Sequence, residues 1–134
     1  MTEITTFLMF EGAAEEAMNF YLAAFPGSTV DEEFRVGQEG PGPAGSLTRA
    51  VFTLAGHKFM CFNSPVNHGF TFTPSISLYV SCDSPAEVDR LYGVLSEGGQ
   101  TMMPLGSYPF SERFAWCADK FGVSWQLTLA AAPK

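Results

Sequence analysis

Two spacings of apolar residues alternate along the 134-residue chain. Short runs that alternate or crowd apolar positions read as strands, and stretches with apolar residues three, four and seven apart read as helices. The predicted order is a strand at 5–10, a helix at 13–25, a strand at 29–36, and a strand pair split by Ala55-Gly56-His57-Lys58. The order then recurs as a strand at 75–80, a helix at 84–97, a strand at 100–105, and a pair split by Asp119-Lys120-Phe121-Gly122. The pattern predicts an α+β fold of two βαβββ modules, about 4–63 and about 75–130, within one domain spanning 1–134. A protein of two such units usually places its ligand site between them.

The second helix carries the fuller set of signals. Ser84 is placed to cap it, Pro85 suits the first helical position, and Glu87 completes a capping box. Val88, Leu91, Tyr92 and Leu95 recur on one face, and Gly98-Gly99 stops the helix. In the first helix Ala17, Tyr21 and Ala24 line one face beside Met18 and Phe25, and Pro26-Gly27 ends it. Residues 63–74, with two prolines, a glycine and two asparagines, read as a crossing linker. Residues 37–45 hold four glycines and two prolines and read as a loop able to serve as a lid.

Composition narrows the partners. Seven Lys and Arg against 14 Asp and Glu leave a formal charge of −7, the wrong sign for nucleic acid or an anionic membrane surface. No stretch resembles a leader or a membrane span, so the expected compartment is the cytoplasm. Cys61, Cys82 and Cys117 form no C-x-x-C arrangement and read as reduced, small apolar residues. The acidic runs Glu15-Glu16 and Asp31-Glu32-Glu33 read as solubilising surface charge, since neighbouring positions do not face each other on a helix or a strand. Ser111-Glu112-Arg113 reads as a solvated edge before a strand at 114–117.

Four segments carry a family resemblance: Phe7-Leu8-Met9-Phe10, the helical Glu15-Glu16-Ala17-Met18-Asn19-Phe20-Tyr21, the run from Gly98-Gly99 to Met103-Pro104-Leu105, and Asp119-Lys120-Phe121-Gly122-Val123-Ser124-Trp125-Gln126-Leu127. Together they resemble the PhnB-like branch of the glyoxalase/bleomycin-resistance/dioxygenase (vicinal oxygen chelate) superfamily, over nearly the whole chain. The resemblance implies curved mixed sheets around a cavity and a homodimer. It also implies a divalent metal held by His, Gln or Glu side chains from the first and last strands of each module. Relatives of this type are often labelled 3-demethylubiquinone-9 3-methyltransferase-like.

Carried onto this chain, the family's metal-ligand positions fall near Thr5, Met60, Ser75 and Gln126, a set of hydroxyls, a thioether and an amide that suits a divalent ion poorly. No metal and no cofactor is therefore expected. His57, assigned to a turn, and His68, assigned to the linker, read as solvated turn residues. They remain the fallback for an acid–base or metal role. The remaining candidates are ligand-binding ones. Alternation puts Ser124, Gln126 and Thr128 on one face of the last strand, and Ser77 and Tyr79 share a face with Ser75. Phe7, Met9, Met60, Phe114 and Trp116 form either an apolar ligand wall or simply core.

No phosphate loop, dinucleotide fingerprint or nucleophile elbow is present, and nothing resembles a glycine-rich S-adenosylmethionine site. The expected function is the binding or sequestering of a small organic molecule in an inter-module cavity without metal, with Gln126, Tyr79, Ser77, Trp116, Phe7 and Met60 as ligand contacts. Two readings stand beside it: a metal-dependent glyoxalase or dioxygenase-type enzyme with an atypical site, and a non-catalytic structural or interaction module.

Overall fold

The computed structural model describes residues 1–37 and 43–131. Of the expected lid at 37–45, residues 38–42 lie outside the described residues. Two compact units are present, Met1–Thr71 and Phe72–Lys134. The first contains β1 (Thr6–Phe10), α1 (Ala14–Ala24), β2 (Thr29–Arg35), β3 (Leu47–Leu54) and β4 (His57–Asn63). The second contains β5 (Leu78–Cys82), α2 (Pro85–Leu95), β6 (Gln100–Tyr108), β7 (Ser111–Ala118) and β8 (Ser124–Leu129).

The sheet orders are β1-β4-β3-β2 and β5-β8-β7-β6. In both, the first strand of the unit runs parallel to the last and every other neighbour is antiparallel. A parallel pair needs a crossover, and the helix that makes it covers one sheet face. The fold is thus α+β, with two βαβββ modules as the apolar periodicity predicts.

In the first unit α1 buries Ala14, Ala17, Met18, Tyr21 and Ala24. These pack on β3 and β4, whose Ala50, Phe52, Phe59 and Cys61 are buried, along with Leu8 and Phe10 of β1. In the second unit Val88, Leu91 and Leu95 of α2 are buried. Beneath them lie Cys82, Ala115, Cys117, Trp125 and Leu127. Each sheet keeps its helix-free face for other work.

Helix α2 is capped as expected by Ser84, whose side chain accepts the Glu87 backbone N–H at 3.2 Å. The return half of the capping box is absent because Glu87 bonds Arg90 instead. The chain leaves α2 through Gly98-Gly99, and a Cβ on Gly99 would lie 2.0 Å from the Ala118 carbonyl oxygen, so only glycine fits there.

Helix α1 starts at Ala13, which offers no side-chain cap. The cap comes from β4: the Asn63 side-chain oxygen accepts from the Gly12 and Ala14 backbone N–H groups at 3.0 and 2.9 Å, while its amide donates to the Leu47 carbonyl. Asn63 is therefore a structural lock rather than the first linker residue. Such a long-range cap leaves no local signal.

Several strand boundaries differ from the periodicity. Strand β7, expected at 114–117, is paired already from Ser111 opposite Tyr108, so Ser111-Glu112-Arg113 is strand and not a solvated edge before it. The strand expected at 75–80 begins at Leu78, because Thr73, Pro74 and Ser75 form a turn in which Ile76 N–H reaches the Thr73 carbonyl and the Thr73 and Ser75 hydroxyls pair at 2.7 Å. The β3–β4 connection is Ala55-Gly56 alone, with φ of 47° and 80°, so His57 and Lys58 belong to β4. Strand β6 continues to Tyr108 through Pro104. It does so as an edge strand with three register irregularities, where a missing N–H is tolerated.

The Asp119-to-Trp125 stretch, which carried much of the resemblance, is a folding element. Asp119 is 3% exposed. One of its carboxylate oxygens accepts the Phe121 and Val123 N–H groups at 2.9 and 3.1 Å, and the other accepts the Trp125 indole N–H at 2.9 Å. The three cysteines are free and buried, and burial pushes each thiol up to about 11.

Asn63→Ala should lower unfolding free energy by about 2 kcal/mol, and Asp119→Ala by about 3 kcal/mol because three donors lose a buried acceptor. Urea denaturation followed by circular dichroism measures both. The thiols provide a pH test. Burial favours their neutral form in the fold, so this contribution is complete below the ordinary value of 9.0 and is lost as pH rises through about 11. At pH 8 none of the three should react with a disulfide reagent until the chain is unfolded.

Candidate functional site

On the helix-free face of the second sheet, β5 and β8 lie in parallel register, with Tyr79 opposite Gln126 and Ser81 opposite Thr128. Strand β7 adds Trp116 opposite Gln126 and Phe114 opposite Thr128. Alternation thus places Ser124, Gln126 and Thr128 together, as expected, with Trp125 and Leu127 beneath α2.

Four of these side chains form one hydrogen-bonded chain. The Trp116 indole N–H donates to the Ser124 hydroxyl at 2.8 Å, Ser124 and Ser77 hydroxyls meet at 2.7 Å, and the Gln126 amide donates to Ser77 at 3.3 Å. Ser124 is 2% exposed and is the hub of the network. The arrangement fixes the indole and the amide while leaving the Gln126 carbonyl without a partner among the described residues. Tyr79, 61% exposed, stands beside it.

The same face opens at one end into a groove of about 670 Å³ lined by Tyr79, Ser81, Tyr108, Phe110, Glu112 and Thr128, among others. Phe110 stands edge-on to Phe114 at 4.8 Å and stacks with Tyr108 at 5.7 Å. Ser111 and Thr128 hydroxyls pair at 2.7 Å beneath it. Arg113 turns away to Asp89 of α2, which raises the guanidinium's already high pKa further.

Gln126, Tyr79, Ser77 and Trp116 are brought together on this face. Phe7 and Met60 lie on the helix-free face of the other sheet, paired in register. Ser124, the hub, was legible only as a member of the polar face; its central role comes from Ser77 and Trp116, which lie far from each other in the chain. The groove residues Tyr108 and Phe110 carried no sequence signal, because β6 was expected to end at residue 105.

The registers also place the four positions that the resemblance implies for a metal, Thr5, Met60, Ser75 and Gln126. Thr5 precedes β1 and Ser75 lies in a turn, so neither is a strand residue. In register, Met60 pairs with Phe7 and Gln126 with Tyr79. A phenyl ring, a thioether, a phenol and an amide do not fit a divalent metal, which prefers imidazole, thiolate or carboxylate. Among the described residues no three His, Cys, Asp or Glu side chains gather where they could hold an ion.

His57 is exposed as expected but belongs to a strand, and His68 is half-buried in the linker. His57 begins β4, where its ring meets the Thr6 hydroxyl at 2.9 Å and packs edge-on to Phe59. His68 is 2.7 Å from the Ser64 hydroxyl, and its backbone N–H donates to Glu11. Every side chain of β2 is exposed. Its acidic run is nonetheless engaged: Asp31 accepts from Thr29 and Thr53, which hold its carboxyl below the usual range, and Glu33 pairs with Arg35. Glu15 is held low by its bond to Arg35.

Residues 2–128 match the family model described as 3-demethylubiquinone-9 3-methyltransferase. A PhnB protein of Bacillus cereus with the same description is 56% identical, with 96% of this chain and 100% of that chain covered and a TM-score of 0.91. Protein PA1353 from Pseudomonas aeruginosa is 28% identical over 96% and 98% of the two chains, with a TM-score of 0.74. A glyoxylase/bleomycin resistance protein/dioxygenase domain from Frankia shares the fold, at 14% identity, coverage of 98% and 99%, and a TM-score of 0.68. No curated protein matches the chain significantly. No helix among the described residues is long and apolar enough to cross a membrane.

Proposed function

Because the chain belongs to the 3-demethylubiquinone-9 3-methyltransferase family, in its PhnB-like form, we propose that it binds a small organic molecule on the helix-free face of its second sheet, without a metal. The observation that carries this reading is the bonded chain Trp116–Ser124–Ser77–Gln126 beside exposed Tyr79. Ligand sites combine apolar and aromatic walls with a few fixed polar groups. Here the walls are Tyr79, Trp116 and the Tyr108–Phe110 stack, and the fixed groups are the Gln126 amide and the Ser81 and Thr128 hydroxyls.

Such a face suits a flat, uncharged molecule carrying a hydroxyl or an amide. The amide needs no reorganisation on binding, since Ser77 already orients it. Neither helix start is a glycine-rich cofactor loop: α1 follows Glu11-Gly12-Ala13 and α2 follows Asp83-Ser84. The reading includes a cytoplasmic homodimer, in keeping with three free cysteines and a charge of −7.

Intrinsic fluorescence tests the proposal, because Trp116 lies on the proposed face and Trp125, 1% exposed, lies under α2. A panel of small phenols and aromatic amides should contain members that shift Trp116 emission. The shift should vanish in Trp116→Phe, and affinity should fall about tenfold in Gln126→Ala, the loss expected for one hydrogen bond. Chelation should leave binding intact and titration with S-adenosylmethionine should give no heat. Near-stoichiometric bound metal, or binding lost on chelation, would establish the metal-dependent enzyme reading instead.

A further inference from the structure

The helix-free face of the first sheet has the opposite chemistry. Two rows cross it in register: Phe34, Arg49, Phe62 and Met9 form one, and Glu32, Val51, Met60 and Phe7 the other. Phe7 is 54% exposed and Phe34 44%. Phe7 and Phe62 rings stand 6.0 Å apart. A face of this kind normally has a cover, and the one cation on it without an ion pair among the described residues, Arg49, indicates of what charge.

Arg49 is half-buried, with its guanidinium carbon 4.2 Å from the centre of the Phe34 ring. The chain has four arginines. Arg35 pairs with Glu15 and Glu33, Arg90 with Glu87, and Arg113 with Asp89. Arg49 alone has neither a hydrogen bond nor an ion pair among the described residues. The nearest acid in register, Glu32, makes no ion pair with it, and Asp31 is occupied by Thr29 and Thr53. Lys58, further along the face, pairs with Glu3. A guanidinium stacked on a ring presents its N–H fork outward in a plane, the geometry that takes a carboxylate through two parallel bonds.

We infer that this face binds a small monocarboxylic acid with an apolar body, its carboxylate on Arg49 and its body across Phe62 and Met9. From Arg49 to Met9 is two strand spacings, ~10 Å, the reach of a short alkyl chain or an arylalkyl group. The charge and the apolar row are both needed: the apolar surface alone does not distinguish an acid from its neutral analogue, and a bare surface arginine adds little in water. The two proposals rest on different residues, so Arg49→Gln tests this one and Gln126→Ala the other, and the failure of either is told from the failure of the other.

Calorimetric titration of the whole chain with octanoate and 4-phenylbutyrate, against octanamide and 4-phenylbutanamide, tests the inference. Both acids should bind at least tenfold more tightly than their amides. Arg49→Gln should erase that preference without lowering the melting temperature, and Arg49→Lys should restore part of it. Equal binding of acid and amide overturns the inference. So does absence of binding by either acid, or an unchanged preference in Arg49→Gln. Sedimentation provides the last arm: if Phe7→Glu converts a dimer to a monomer, a second copy covers this face and the inference also fails.

Discussion

The parallel pairing of the first strand of each unit with its last is the constraint from which the rest of the structure follows. Thr6–Phe10 lies against His57–Asn63, and Leu78–Cys82 against Ser124–Leu129. A parallel neighbour is reachable only through a crossover, so a helix must follow the first strand and must settle on one face. That helix supplies the buried layer, Tyr21 and Met18 in one unit and Leu91 and Leu95 in the other. The antiparallel strands then close the sheet through short connections such as Ala55-Gly56. What remains is a sheet face that no element of its own unit covers.

On those two faces the same scaffold carries inverted chemistry. Matched through the strand registers, Phe7 corresponds to Tyr79, Met60 to Gln126, Val51 to Trp116, Met9 to Ser81 and Phe62 to Thr128. Apolar residues in one repeat are replaced by hydroxyls, an amide and an indole in the other. The one reversal is Arg49, whose counterpart is Phe114. Nothing in the backbone requires this difference, because each of these side chains fits a pleated strand equally well. It is therefore the feature that distinguishes one repeat's capacity for ligands from the other's.

The stretch most useful for recognising the family serves the fold. Asp119 spends its carboxylate on two turn N–H groups and the Trp125 indole, tying the β7–β8 turn to the strand that follows. A buried carboxylate satisfied by three donors tolerates little change, so such a motif marks a family without marking its chemistry. Asn63 plays a comparable part for α1 from a position 49 residues beyond the helix start. Both are cases where a polar residue in a loop-like context is structural.

By itself the sequence determined the two modules, the helix faces, the Ser84 cap and the polar face of the last strand. All of these are set by local periodicity and capping chemistry, which neighbouring residues specify. Only the tertiary structure decided that Asn63 caps α1, that His57 belongs to a strand, that β5 starts at Leu78, and that Ser77, Trp116 and Gln126 meet through Ser124. It also decided that Arg49 lies over Phe34 with no carboxylate partner among the described residues. These depend on strand register and on contacts between residues 8 to 51 positions apart. No short window of sequence holds that information, because a shift of one residue in pairing reverses which face every side chain occupies.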